Sequence, residues 1–160
     1  MRANEILHED ATTRVLSRRN LVVTVWSSAP TAAQFRIFSR VSERFVKARP
    51  AGTALLSVAL RGVPNFSESA REEVVQMVKN RTLFTLGTAH LILVPGLAGA
   101  AVRAFLSTVT LIARPAAPTR SFGEKNAAVT WLHGQLRGGP EEWTEKELRE
   151  TLEEAIAERS

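Results

Sequence analysis

Nucleophiles, bases and metal ligands are scarce in this chain. Three imidazoles, His8, His90 and His133, and one aspartate, Asp10, stand among 160 residues that include no cysteine and no tyrosine. No two histidines share a metal-ligand spacing, and the lack of thiols removes zinc ribbons, disulfide frameworks and thiol catalysis. His90 lies inside an apolar run, AHLILV, where a histidine of the core or of a sheet face is expected before a ligand or a base. The Gly-x-Ser-x-Gly elbow, the P-loop and the Gly-x-Gly-x-x-Gly fingerprint are all missing. Glu72 with Glu73, and Glu153 with Glu154, fall at exposed helix positions and are not poised to share one proton. These residues predict a protein that is not an enzyme and takes no metal or cofactor.

Two features could bind rather than react. Gly96-x-x-Gly99, between a strand and a helix, could offer backbone amides to an anion, although a tight strand-to-helix turn needs the same glycines. Arg36, Arg40, Arg44 and Lys47 recur at i, i+4, i+8 and i+11 and form a basic stripe along one helix. Phe35, Phe38 and Phe45 fall on that helix's core side and do not interleave with the cations, so nucleic acid is not the expected partner. Residues 1–140 carry 18 Lys and Arg against 8 Asp and Glu, a balance of +10, and residues 141–160 carry 3 against 8, a balance of −5, which together make the chain's +5. The acidic end reads either as a solvated tail or as a segment lying on the basic surface, where it would mask the stripe.

The elements that must position these residues follow from periodicity and punctuation. Val- and Thr-rich runs at Thr12–Ser17 and Leu21–Trp26, separated by Arg18, Arg19 and Asn20, predict a hairpin, with Glu5–His8 as an extension of its edge. Thr31-x-x-Gln34 is a capping box that opens a first helix to about Ala48, stopped by Pro50-Ala51-Gly52. Ala54–Leu60 and Ala89–Val94 are short apolar strands. Between them a second helix starts near Asn65, Ser67 or Ser69, with Ser69-x-x-Glu72 as a second box, and runs to about Leu83. The apolar positions 97, 101, 104, 105, 108, 111 and 112 predict a third helix from Leu97 to about Ala113, mostly buried, with only a narrow polar stripe of Arg103, Ser107, Thr110 and Arg114. Pro95, Gly96 and Arg103 interrupt its apolar run, which argues against a membrane span. A minimal strand at Arg120–Phe122 precedes a fourth helix, opened by Ser121-x-x-Glu124 and stopped by Gly138-Gly139-Pro140. A last helix, boxed by Thr144-x-x-Glu147, has an apolar seam of Leu148, Leu152, Ala155 and Ile156 too thin to hold it alone in water, so it must dock on its own domain or on another chain. The alternation of strand and helix makes this one α/β domain with a mixed sheet of about five strands, residues 1–137, followed by a Gly-Gly-Pro linker and the acidic helix, residues 138–160.

The order of elements, with Phe122 ending a short strand and Ala128-x-x-Trp131-Leu132 on the next helix, resembles the SpoIIAA-like group of STAS-like domains over about residues 12 to 137. The resemblance implies a sheet with packed helices and a non-enzymatic bacterial regulatory module that binds a protein partner in signalling. Related domains are similar to CRAL-TRIO lipid carriers, which implies an alternative, a lipid or membrane-surface binding protein. Well-known STAS regulators are switched on a serine in an Asp-Ser-Ser-Gly loop at the start of the second helix. Here that place holds Asn65-Phe66-Ser67-Glu68-Ser69-Ala70, without the Asp and the Gly; Ser67 and Ser69 are candidate phosphate acceptors, and capping gives both a structural reason to be serine. The expected partner surface is Ser67, Ser69, Gly96, Gly99 and the stripe Arg36, Arg40, Arg44 and Lys47. A homo-oligomer fits the same surfaces, and the start, Met1–Asp10, has no apolar signal core, which with the missing cysteines points to the cytoplasm.

Overall fold

In the computed structural model, which describes residues 4–62, 68–80 and 85–157, six strands and five helices alternate as an α/β domain. The strands are β1 (Glu5–Glu9), β2 (Thr13–Arg18), β3 (Leu21–Trp26), β4 (Thr53–Ala59), β5 (Thr85–Ile92) and β6 (Thr119–Phe122). The helices are α1 (Ala32–Lys47), α2 (Glu68–Asn80), α3 (Gly96–Ala113), α4 (Lys125–Leu136) and α5 (Glu145–Ala157). The sheet keeps chain order, β1-β2-β3-β4-β5-β6, antiparallel through the first three strands and parallel from β3 onward. It has one strand more than expected: β1 pairs with β2 across a register shift between Ile6 and His8. A bulged edge strand with Glu5 and Glu9 exposed carries little apolar signal of its own.

Side chains alternate across a strand, so the sheet divides its residues between two cores. Leu21, Val23 and Val25 of β3 join Leu56, Val58, Ala89 and Leu91 in a cluster with Leu132 and Leu136 of α4 and Leu148, Leu152 and Ile156 of α5. On the other face Val22 and Trp26 join Leu55 in a cluster with Phe38 and Phe45 of α1, Val74 and Met77 of α2 and Val109 of α3. Because each parallel crossover steps in the same direction along the sheet, α1, α2 and α3 fall on one face and leave the other to α4 and α5. Phe122 and Trp131, with ring centroids 5.6 Å apart, and fully buried Ala128 and Leu132 dock α4 on the sheet.

Two of the four expected capping boxes close. Gln34 N donates to Thr31 Oγ1 at 3.1 Å and Thr31 N to Gln34 Oε1 at 3.0 Å; Glu147 N donates to Thr144 Oγ1 at 3.1 Å and Thr144 N to Glu147 Oε2 at 2.9 Å. The Ser121 box does not form, because Ser121 belongs to β6 and Glu124 is itself the N-cap of α4. Ser69 stands inside α2 rather than at its cap, and Ser67 lies outside the described residues, as do Asn65, Phe66 and the expected end of that helix near Leu83.

The acidic helix docks on its own domain. Arg19, left-handed at φ 52° in the hairpin turn, donates to Glu147 Oε1 at 2.6 Å and to the Glu142 carbonyl at 2.8 Å. Arg18, buried, donates to Thr151 Oγ1 at 2.9 Å. The basic surface that receives α5 is therefore the β2–β3 hairpin on the face opposite α1, so α5 does not mask the Arg36–Lys47 stripe. Along α5, Lys146–Glu150 stands at 3.9 Å and Arg149 donates to Asn126 Oδ1.

The third helix departs most from expectation. Instead of being mostly buried, α3 buries Gly99, Val102, Val109 and Ala113 and leaves Leu97 89%, Leu111 76% and Ile112 47% exposed. It lies at the end of the helical layer, above the four-residue strand β6, and among the described residues no further element covers it.

Candidate functional site

The parallel strands point their carboxyl ends at one rim, where open α/β sheets form their ligand crevices. There an apolar cavity of about 70 Å³ lies between the sheet and the α1–α3 layer. Its floor is Trp26, Ser57, Ala59, His90 and Ile92. Its walls are Phe35 and Phe38 of α1, Val74, Met77 and Val78 of α2, and Val102, Phe105 and Leu106 of α3. Ser28, Pro30, Arg61 and Gly62 stand at the mouth. Trp26 is clamped between Phe35, at 5.5 Å between ring centroids, and Phe38, edge-on at 5.4 Å. At about 10–15 Å³ for each water-sized position, the space admits a small molecule or the end of a chain, and not a whole acyl tail.

Ser57 and His90 face each other in register on β4 and β5. Neither stood out as a pair in the sequence, where each was a single polar residue inside a separate apolar strand; the signal was that both strands carry one. Serine next to histidine is the start of a nucleophilic dyad, but Ser57 Oγ accepts from Trp26 Nε1 at 3.0 Å, and among the described residues no acidic side chain lines the cavity. Among the described residues no group of three or more His, Asp or Glu could hold a metal ion. The chemistry on offer is burial of apolar surface with a few polar contacts.

The residues singled out in the sequence are brought only partly together. Ser69, exposed in the first turn of α2, and Gly96, exposed at φ +65° at the start of α3, share the rim with the cavity mouth. Gly99 is buried, and a side chain there would collide with the Val94 carbonyl oxygen, so its glycine serves the tight turn and not an anion. Arg36, Arg40, Arg44 and Lys47 are all exposed along α1, but Arg36 is bound to Glu73 of α2 at 3.2 Å and Lys47 to Glu43 at 2.7 Å, which splits the stripe into paired ends and a cationic middle.

A second, open depression lies between the hairpin turn and the α4–α5 connection, and its polar groups are occupied with each other. His133 Nε2 meets the Trp143 carbonyl at 2.8 Å, Trp143 Nε1 donates to Asn20 Oδ1 at 2.9 Å, and the Arg19 guanidinium lies 4.7 Å from the Trp143 ring centroid. The Arg19 hydrogen bond, with the Thr144 amide, holds the Glu147 carboxyl down at about 2. These contacts fasten α5 to the hairpin turn. Comparison with family models, with curated proteins and with solved structures finds no match for the chain.

Proposed function

We propose that this is a non-enzymatic STAS-like binding domain that holds a small apolar ligand, or the end of a larger one, beneath its α1–α3 layer and works at a lipid surface. The observation that carries the reading is that α3 is apolar on both faces: Val102, Phe105 and Leu106 wall the cavity, while Leu97, Leu111 and Ile112 stand in solvent. An apolar patch left in solvent favours a surface that something covers, and cations around it favour an anionic lipid interface. Between Glu73 and Glu124 the sequence has no acidic residue and five basic ones, Lys79, Arg81, Arg103, Arg114 and Arg120, and each cation near an anionic surface contributes about 1 kcal/mol. By length and composition α3 is also able to cross a membrane. Its buried inner residues and the cavity they enclose favour a helix lying on the surface.

Sedimentation with vesicles tests the reading. The protein is expected to pellet with phosphatidylserine-rich vesicles and to stay in solution with phosphatidylcholine alone, and Leu111→Glu is expected to release it. Equal recovery from both, or binding unaffected by Leu111→Glu, sinks the lipid-surface reading. A second reading, a regulatory domain that binds a protein partner, is favoured by the exposure of Ser69 and Gly96 on one rim. A stoichiometric complex lost on Ser69→Glu but kept in Leu111→Glu would put it in first place.

A further inference from the structure

One polar row crosses the middle of the sheet face under the α1–α3 layer. Thr24, Ser57, His90 and Ser121 stand opposite one another across β3, β4, β5 and β6, one residue from each strand. Of these four, Ser57 and His90 reach the cavity. Trp26 Nε1 donates to Ser57 Oγ at 3.0 Å, and Trp26 is itself packed between Phe35 and Phe38, so the serine oxygen is held in place. That bond occupies a lone pair and turns the hydroxyl hydrogen away from the indole. Among the described residues Ser57 Oγ donates to no acceptor. Ser57 is half-buried on the cavity floor, so its hydroxyl hydrogen is within reach of a molecule that enters and displaces water there.

We propose that Ser57 is the polar anchor of the cavity, and that the ligand is a small apolar molecule carrying a neutral hydrogen-bond acceptor, such as a ketone, ester or ether oxygen, placed against the Ser57 hydroxyl. The inference rests on the reading of the cavity as the binding site. A carboxylate does not suit the floor: an anion in so apolar a space needs several donors, and Arg61, the cation among the described lining residues, is exposed at the mouth. A pure hydrocarbon would fill the volume and leave the hydroxyl unpaired.

Two probes of equal size, cyclopentanone and methylcyclopentane, separate the contributions. Each is titrated into the full chain, with the Trp26 indole N–H resonance and the Met77 methyl resonance followed by NMR. In Ser57→Ala the ratio of ketone to hydrocarbon affinity is expected to fall about 2- to 10-fold, the range of one neutral hydrogen bond. Ser57→Cys, which keeps the side chain's size and weakens the donor, is expected to lose most of the same ratio. A ratio unchanged in both variants overturns the anchor and leaves the cavity as a binding site. Absence of any shift with either probe in the unaltered protein overturns the cavity reading and the anchor with it.

Discussion

Replacing Leu152 by alanine asks whether the acidic C-terminal helix is core or appendage. Leu152 is 0% exposed, in the cluster that holds Leu21 and Val23 of β3 and Leu132 of α4. A buried Leu→Ala change costs about 2–5 kcal/mol, the spread depending on how far the surroundings can close the gap. Here one wall of the site is the central sheet, which cannot follow, and the other is a terminal helix free to settle inward, so a value near the middle, about 3 kcal/mol, is expected. Against a domain stability of about 5–15 kcal/mol, that is a fifth or more of the total. Urea unfolding followed by far-ultraviolet circular dichroism and by tryptophan fluorescence measures it, and the two probes should give one shared transition at a lowered midpoint with an unchanged slope. Trp143 makes the second probe informative, because its ring lies between the hairpin arginines and α5. A loss below about 1 kcal/mol, or a helical transition that precedes the fluorescence transition, would refute the assignment of α5 to the core.

Trp143→Phe removes the donor to Asn20 Oδ1, whose amide Nδ2 still donates to the Gly52 carbonyl at 3.1 Å, and leaving that oxygen buried and unpaired should cost about 1–3 kcal/mol in the same urea experiment. Acid stability should fall as pH drops from about 5 towards 2. Burial raises the Asp10 carboxyl, but His8, the Thr12 and Thr13 amides and Gln34 outweigh it and hold the group at about 2, as Arg19 holds Glu147. A carboxyl depressed in the folded state contributes stability above its unfolded value and loses it as pH falls through the folded one. Asp10→Asn and Glu147→Gln should each flatten that acid limb and leave the neutral-pH slope of stability alone, and an unchanged limb in both would contradict the linkage. Gly99→Ala should destabilise by more than about 2 kcal/mol, since the Val94 carbonyl is backbone and cannot step aside. Gly96→Ala, with open space around it and only its positive φ to pay, should lose about 1–2 kcal/mol, so equal losses in thermal melts would count against the close-approach argument.

Local signals of known mechanism hold where no longer-range contact competes for the same residues. The hairpin, the Thr31 and Thr144 boxes and the apolar strands β4 and β5 rest on interactions within a few residues or on alternation, and both are written in the chain itself. Ser121 failed as a cap because the same serine is claimed by strand pairing with His90, a contact across 31 positions that no local pattern reports. The edge strand β1 was half legible for a related reason: its partner residues, and not its own side chains, make it a strand.

What the sequence determined by itself was the class: an α/β chain, poor in catalytic groups, with an acidic end too thinly apolar to stand alone. Tertiary structure decided which face each helix covers. A helical period states that a stripe is apolar and does not state what lies over it, so α3 could be expected in the core and be found at the end of its layer with Leu111 in solvent. Charge counts likewise left open a solvated tail or a helix lying on the basic body, and only the fold chose docking, on the hairpin arginines and not on the α1 stripe. The Ser57–His90 pair exists because parallel strands in sequential order bring residues 33 positions apart into register, and that register depends on the whole sheet.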